Sequence, residues 1–166
     1  AANAPAEASN YAASLPPGET QDRATLAVIS QWANLEPGAA GEWVAGFPAG
    51  SLRDKALPEV ARTWGMDEPA GAAAWLDTLP AGPSRDRAVG AFAGTIASNY
   101  PTDAVRWAES VTNPALRNSQ LESVARTWLQ VDAAAAKAWI TGSNLPDARK
   151  ARLLGLPAPA APAKRK

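Results

Sequence analysis

The sequence predicts an all-α protein, built as an α-solenoid of about five helical hairpins, and three observations carry that expectation. The first is a repeat with a step of 32 residues: Trp32, Trp64, Ile96 and Trp128 form one ladder, and Tyr11, Trp43, Trp75, Trp107 and Trp139 form another. The second is that further columns keep the same step without gaps. They include Pro5, Pro37, Pro69 and Pro101; Ala8, Ala40, Ala72, Ala104 and Ala136; Gly18, Gly50 and Gly82; and Arg53, Arg85, Arg117 and Arg149. The third is apolar spacing of three and four residues between Pro and Gly breaks, the period of a helix with one buried face.

Each copy reads as two helices. Pro37 opens the first, because a proline in the first turn forfeits only an N–H that has no acceptor within the helix. Ala40, Trp43, Val44 and Phe47 then recur on one face, which predicts helix A over 37–47. Pro48, Ala49 and Gly50 break the chain. Ser51 and Asp54 have capping-box spacing with Asp in place of Glu, and Leu57, Val60 and Trp64 continue as helix B. A hairpin of this size cannot bury its apolar stripe alone, so successive copies are expected to stack on one continuous core. The predicted array covers 1–156, with copies at roughly 5–32, 37–64, 69–96, 101–128 and 132–156. The fifth copy has Ala133 where the others have Pro, and its helix B shortens to 149–154 before Gly155 and Pro157. Residues 157–166, rich in Pro and Ala and ending Lys164-Arg165-Lys166, predict a disordered tail.

Composition narrows the function. With 16 basic and 16 acidic side chains the formal charge is zero, whereas a general nucleic-acid binder needs a cationic surplus to displace counterions from phosphates. There is no His and no Cys, which excludes zinc fingers, thiolate nucleophiles, haem ligation by His or Cys, iron–sulfur sites and the Ser-His-Asp triad. Carboxylates such as Asp67, Glu68 and Asp77 serve as general acids only when burial raises their pKa. No pattern announces that, so the expectation is no enzyme: no catalytic, cofactor-binding or metal-binding residues. Glu68, before Pro69, reads as an acid at a helix N-terminus. No stretch approaches the roughly 20 apolar residues of a membrane helix. The chain starts at Ala1 without Met, which suits a processed or excised product and favours a periplasmic or secreted location over the cytoplasm.

The pattern Trp64, Glu68-Pro69, Ala72-Ala73, Trp75, Leu79-Pro80, Gly82, Arg85-Asp86 and Ala88 resembles an Ala/Trp-rich helical repeat of long bacterial envelope proteins. It is also similar to tetratricopeptide repeats, with Ala40 and Trp43 resembling their helix A small residue and aromatic, and Ala56 with Val60 resembling their helix B pair. The resemblance implies a right-handed, tetratricopeptide-like solenoid whose helix A lines the concave side. The chain departs from that family in its step, 32 against about 34, and in its longer Pro/Gly turn.

The columns divide between core and surface. Both Trp ladders share a helical face with apolar residues and are expected in the core, although exposed rings would stack on sugars. At about 100° per residue, Ala56, Leu57, Val60 and Trp64 all fall within about 60° of Arg53, and Arg62 falls about 180° away. The Arg column is therefore expected to point inward, donating to carbonyls that end helix A or to an acid of the adjacent copy. Helix A carries the partner surface, through columns of mostly small residues such as Gly38, Ala70, Thr102 and Ala134, or Gly41, Ala73, Val105 and Lys137. On that face Glu42, Asp77, Arg106, Glu109 and Lys137 are the candidate partner-binding residues. From Lys137 to Lys166 seven basic residues face one acid, Asp147, so the tail is able to touch an anionic partner or surface. The expected role is a protein–protein interaction scaffold or accessory subunit of a larger envelope assembly, with an unidentified protein partner, no cofactor and no specific nucleic acid. The alternative is a glycan- or polymer-binding module using exposed Trp and the basic tail.

Overall fold

A computed structural model describes residues 4–16 and 18–157. Among them are ten helices and no strand: α1 (Ala4–Ser14), α2 (Glu19–Leu35), α3 (Pro37–Ala45), α4 (Ser51–Asp67), α5 (Pro69–Thr78), α6 (Pro83–Ile96), α7 (Pro101–Glu109), α8 (Pro114–Val131), α9 (Ala133–Gly142) and α10 (Asp147–Leu154). The protein is all-α, as expected. Of the predicted tail, residues 158–166 lie outside the described residues.

Local chemistry sets the boundaries. Pro37, Pro69 and Pro101 each occupy the first turn of a helix, where the missing N–H costs nothing. Gly18, Gly50 and Gly82 precede α2, α4 and α6 with φ of 149°, 154° and 151°, a backbone conformation open in practice only to glycine. A Cβ at any of these three would meet no atom within 4 Å, so conformation rather than space demands the glycine. The expected capping box is not formed. Gly50 is the residue before α4 and no side chain caps that helix; Asp54 turns instead to the next helix pair, accepting from Ser84 Oγ at 2.6 Å and pairing with Arg87 at 2.6 Å.

Packing follows a simple order. Each odd-numbered helix packs on the even-numbered helix that follows it, and each of α2, α4, α6 and α8 packs both on the next odd-numbered helix and on the next even-numbered one. Among the described residues, α3 and α5 are the only odd-numbered helices that touch each other. The even-numbered helices thus form a continuous layer and the odd-numbered ones an open layer. Small side chains allow the close approach, with Ala40, Ala72, Ala104 and Ala136 all fully buried.

Rings join one pair to the next. Trp32 meets Trp43 at 5.6 Å between centroids, Trp64 meets Trp75 at 6.0 Å and Trp128 meets Trp139 at 6.2 Å. Where Ile96 interrupts the ladder, Phe92 one turn earlier takes the contact with Trp107 at 5.4 Å. The Trp of both ladders are core elements, Trp75 and Trp128 being buried and the other five half-buried against the core, and Ile96 is buried too; Tyr11, which opens the second ladder, is 68% exposed and does not join the core as expected. The column Gly41, Ala73 and Val105 does not face outward as expected: Gly41 and Val105 are buried. A Cβ on Gly41 would lie 2.9 Å from Trp75 Nε1, and Trp139 shares a cleft wall with Val105. Lys137, the fourth member, is exposed.

Because conformation is what fixes the turn glycines, Gly82→Ala should lower stability by about 1 to 3 kcal/mol although its methyl group meets nothing. Chemical denaturation measures this, and a change within about 0.5 kcal/mol would show that the turn relaxes freely.

Candidate functional site

The Arg column ends on backbone. Arg53 Nη1 donates to Phe47 O at 2.7 Å, Arg85 Nε to Leu76 O at 3.2 Å, and Arg117 Nε to Val111 O at 2.8 Å. Leu76 lies in the last turn of α5, while Phe47 and Val111 lie two residues beyond α3 and α7, so all three bonds fall where the chain leaves an odd-numbered helix and carbonyls run short of helical partners. Arg149 instead donates to the Glu122 carboxylate at 2.6 Å. The inward reading holds, and these guanidinium groups fasten turns rather than await a ligand.

Asp86 performs the matching task from the other side. It is 1% exposed and accepts from Thr112 N at 2.9 Å, Thr112 Oγ1 at 2.7 Å and Asn113 N at 3.0 Å. Burial pushes its pKa up, but the bonds from Thr112 and Asn113, with Arg85 nearby, outweigh that and hold it below the ordinary value of 3.8. Asp86 lies in an open cleft of about 640 Å³ with Pro83, Arg87, Asn113 and Ser119. Its oxygens are already engaged and Arg87 is turned to Asp54, so this cleft holds a structural latch.

Two other clefts flank α7 in the open layer. One, of about 390 Å³, is lined by Pro69, Ala70, Ala73, Phe92, Ile96, Tyr100, Asp103, Arg106 and Trp107. The other, of about 340 Å³, is lined by Thr102, Asp103, Val105, Arg106, Glu109, Trp128 and Trp139. Arg106 and Asp103 are paired with each other on the ridge between them. Tyr100 is 49% exposed at the mouth of the first.

The first cleft lies where the repeat departs from itself. Val28, Val60 and Val124 correspond to Phe92; Trp32, Trp64 and Trp128 to Ile96; and Glu36, Glu68 and Asp132 to Tyr100. In two of these copies the indole N–H donates to the acid one turn on, Trp32 to Glu36 at 3.2 Å and Trp64 to Glu68 at 3.0 Å, while in the third Asp132 accepts from Ala134 N and Ala135 N at the start of α9. Glu68 therefore sits at a helix N-terminus as expected, with its carboxylate serving a Trp. In the altered copy both partners of that bond are gone, the ring has moved one turn back, and an apolar hollow with a phenol at its rim remains.

Of the five residues expected to bind a partner, Arg106 and Glu109 line these clefts. Glu42, Asp77 and Lys137 are exposed on α3, α5 and α9 and line neither, and Asp77 lies 3.7 Å from Arg85. Sequence reasoning passed over Ile96 and Tyr100, which the repeat itself marked as exceptions. Among the described residues no group of His, Cys, Asp and Glu is arranged to hold a metal ion, and no helix is long and apolar enough to cross a membrane. Comparison with protein-family models, curated proteins and solved structures finds no match in any of the three.

Two outcomes test this account. Arg85→Ala should cost about 1.5 to 3 kcal/mol, whereas Arg62→Ala, whose side chain is 47% exposed, should stay within about 0.5 kcal/mol; the reverse order in thermal unfolding would overturn the core assignment. Because Asp86 has a depressed folded pKa, its ionised form stabilises the fold at neutral pH. That contribution falls away as pH drops below 3.8 and through the folded value. Asp86→Asn should therefore be less stable than the parent at pH 7, by about 2 kcal/mol, with the gap closing on acidification. A gap independent of pH would remove the charge from the explanation.

Proposed function

We propose that the chain is a protein–protein interaction scaffold, a right-handed, tetratricopeptide-like α-solenoid of five hairpins that presents its open layer to a partner. The packing order supports the solenoid reading, since each helix pair meets the next through its even-numbered helix. The observation that carries the binding reading is the coincidence of three departures from the repeat, Phe92, Ile96 and Tyr100, in one cleft. A core optimised only for stacking has no reason to remove a Trp and its hydrogen-bonded acid together. The hollow suits an apolar side chain of a partner segment crossing α7, while the Arg106–Asp103 ridge orients the segment's backbone. The resemblance to envelope repeats supports a role as an accessory subunit of an envelope assembly, in a periplasmic or secreted setting.

A glycan-binding module needs open ring faces. Here Trp32, Trp64 and Trp128 are each set against the next Trp, and Phe92 is set edge-on to Trp107 at 85°. Ring–ring packing leaves little face for a sugar, which favours the protein partner.

The regular copies provide the test. The variant Phe92→Val, Ile96→Trp, Tyr100→Glu rebuilds the Val-Trp-Glu arrangement and should fill the cleft while keeping helicity and thermal midpoint. Affinity capture from an extract of the source cells should then retain a partner on the parent chain and lose it on the variant. Equal retention by both would sink the cleft, and retention of oligosaccharides with ready acrylamide quenching of the Trp emission would favour the glycan module.

A further inference from the structure

Glu122 occupies a column otherwise held by Leu26, Pro58, Gly90 and Leu154, and it is 4% exposed on α8. A carboxylate withdrawn this far from water requires compensation. It receives three cations. Arg126, one turn along α8, bonds Oε1; Arg152 of α10 reaches the same oxygen at 3.3 Å; and Arg149 takes Oε2 at 2.6 Å. Lys150 meanwhile donates to Thr141 O at 3.3 Å, supplying the helix-closing bond that Arg53, Arg85 and Arg117 supply elsewhere and leaving Arg149 to Glu122.

One acid among three guanidinium groups leaves two positive charges unbalanced. The side chains of Arg126 and Arg152 are 60% and 62% exposed, while that of Arg149 is 29% exposed. Each guanidinium carries five donors in a planar fork, so the two exposed groups keep free N–H edges facing solvent. Because both are anchored on Oε1, their heads are neighbours, and the ordering cost of bringing them together is already met by the buried acid. Two adjacent, fixed forks match carboxylate geometry.

We propose that Arg126 and Arg152, aligned by Glu122, form a binding site for carboxylates of an acidic segment of a partner protein. This rests on the protein-interaction reading and adds a second surface to it, on α8 and α10. A short acidic segment is favoured over a polyanion because residues 4–157 carry 13 basic and 16 acidic side chains. A nucleic acid or an acidic membrane draws its affinity from many cations at once, which a chain of that balance does not offer, whereas a few carboxylates are matched by the two arginines.

The experiment is a titration of the full chain into a fluorescein-labelled oligoglutamate peptide, read by anisotropy at low and physiological ionic strength. Binding should weaken as salt rises, and Arg126→Ala with Arg152→Ala should weaken it by about tenfold or more. Arg149 stays on Glu122 in that variant, so helicity and thermal midpoint should hold; if they do not, the single change Arg126→Gln gives the same readout from an exposed position. Arg62→Ala should bind like the parent. Four results would overturn the site: no binding to the parent chain, undiminished binding by the arginine variants, loss of binding instead on changing Lys164, Arg165 and Lys166 to Ala in the full chain, or tighter binding to heparin or anionic vesicles than to the peptide. Failure here with capture through the α7 cleft intact would remove this site alone, because the Phe92, Ile96, Tyr100 variant reports on that cleft independently.

Discussion

The rest of the structure depends on one contact, the ring at the end of an even-numbered helix set against the ring in the middle of the next odd-numbered one. In the regular copies those two residues are 11 positions apart, Trp32 with Trp43 and Trp64 with Trp75. A turn between them carries the chain out of one helix and into the next, so a local spacing becomes a joint between helix pairs. Large rings bury much area with few rotatable bonds, and Ala and Gly opposite them let the backbones close. Gly41, lying under Trp75, shows how little room the joint leaves.

Polar groups then fix what the rings bring together. Arginines fasten the ends of odd-numbered helices, and aspartates reach forward to the next turn, Asp54 to Ser84 and Asp86 to Thr112 and Asn113. Each acts at a place where helix ends expose unsatisfied backbone groups or turns need orienting. The charges of the Arg column therefore belong to architecture, and around Glu122, where a copy departs from the pattern, two further arginines stand exposed.

The proposed sites share an origin in that irregularity. At Ile96 and Tyr100 the repeat gives up a Trp–acid hydrogen bond and gains a hollow; at Glu122 it gives up an uncharged position and gains exposed guanidinium groups. A repeat array is free to do this because each pair leans only on its neighbours, so one altered joint leaves the others intact.

By itself the sequence determined the all-α class, the positions of the helices and the inward Arg column, because periodicity, Pro and Gly act locally and recur at a fixed step. It also singled out Arg106 and Glu109, which line a cleft. It misplaced the capping box, since Asp54 finds a partner 30 residues away rather than in its own first turn. It misread the Gly41, Ala73 and Val105 column too, because the ring lying on Gly41 comes from the following copy. Which side chains meet across copies, which oxygens of Asp86 and Glu122 are filled and where the open layer leaves space were decided only by tertiary packing. A helical wheel assigns a direction to a side chain, and what stands in that direction is set by a neighbour distant in sequence.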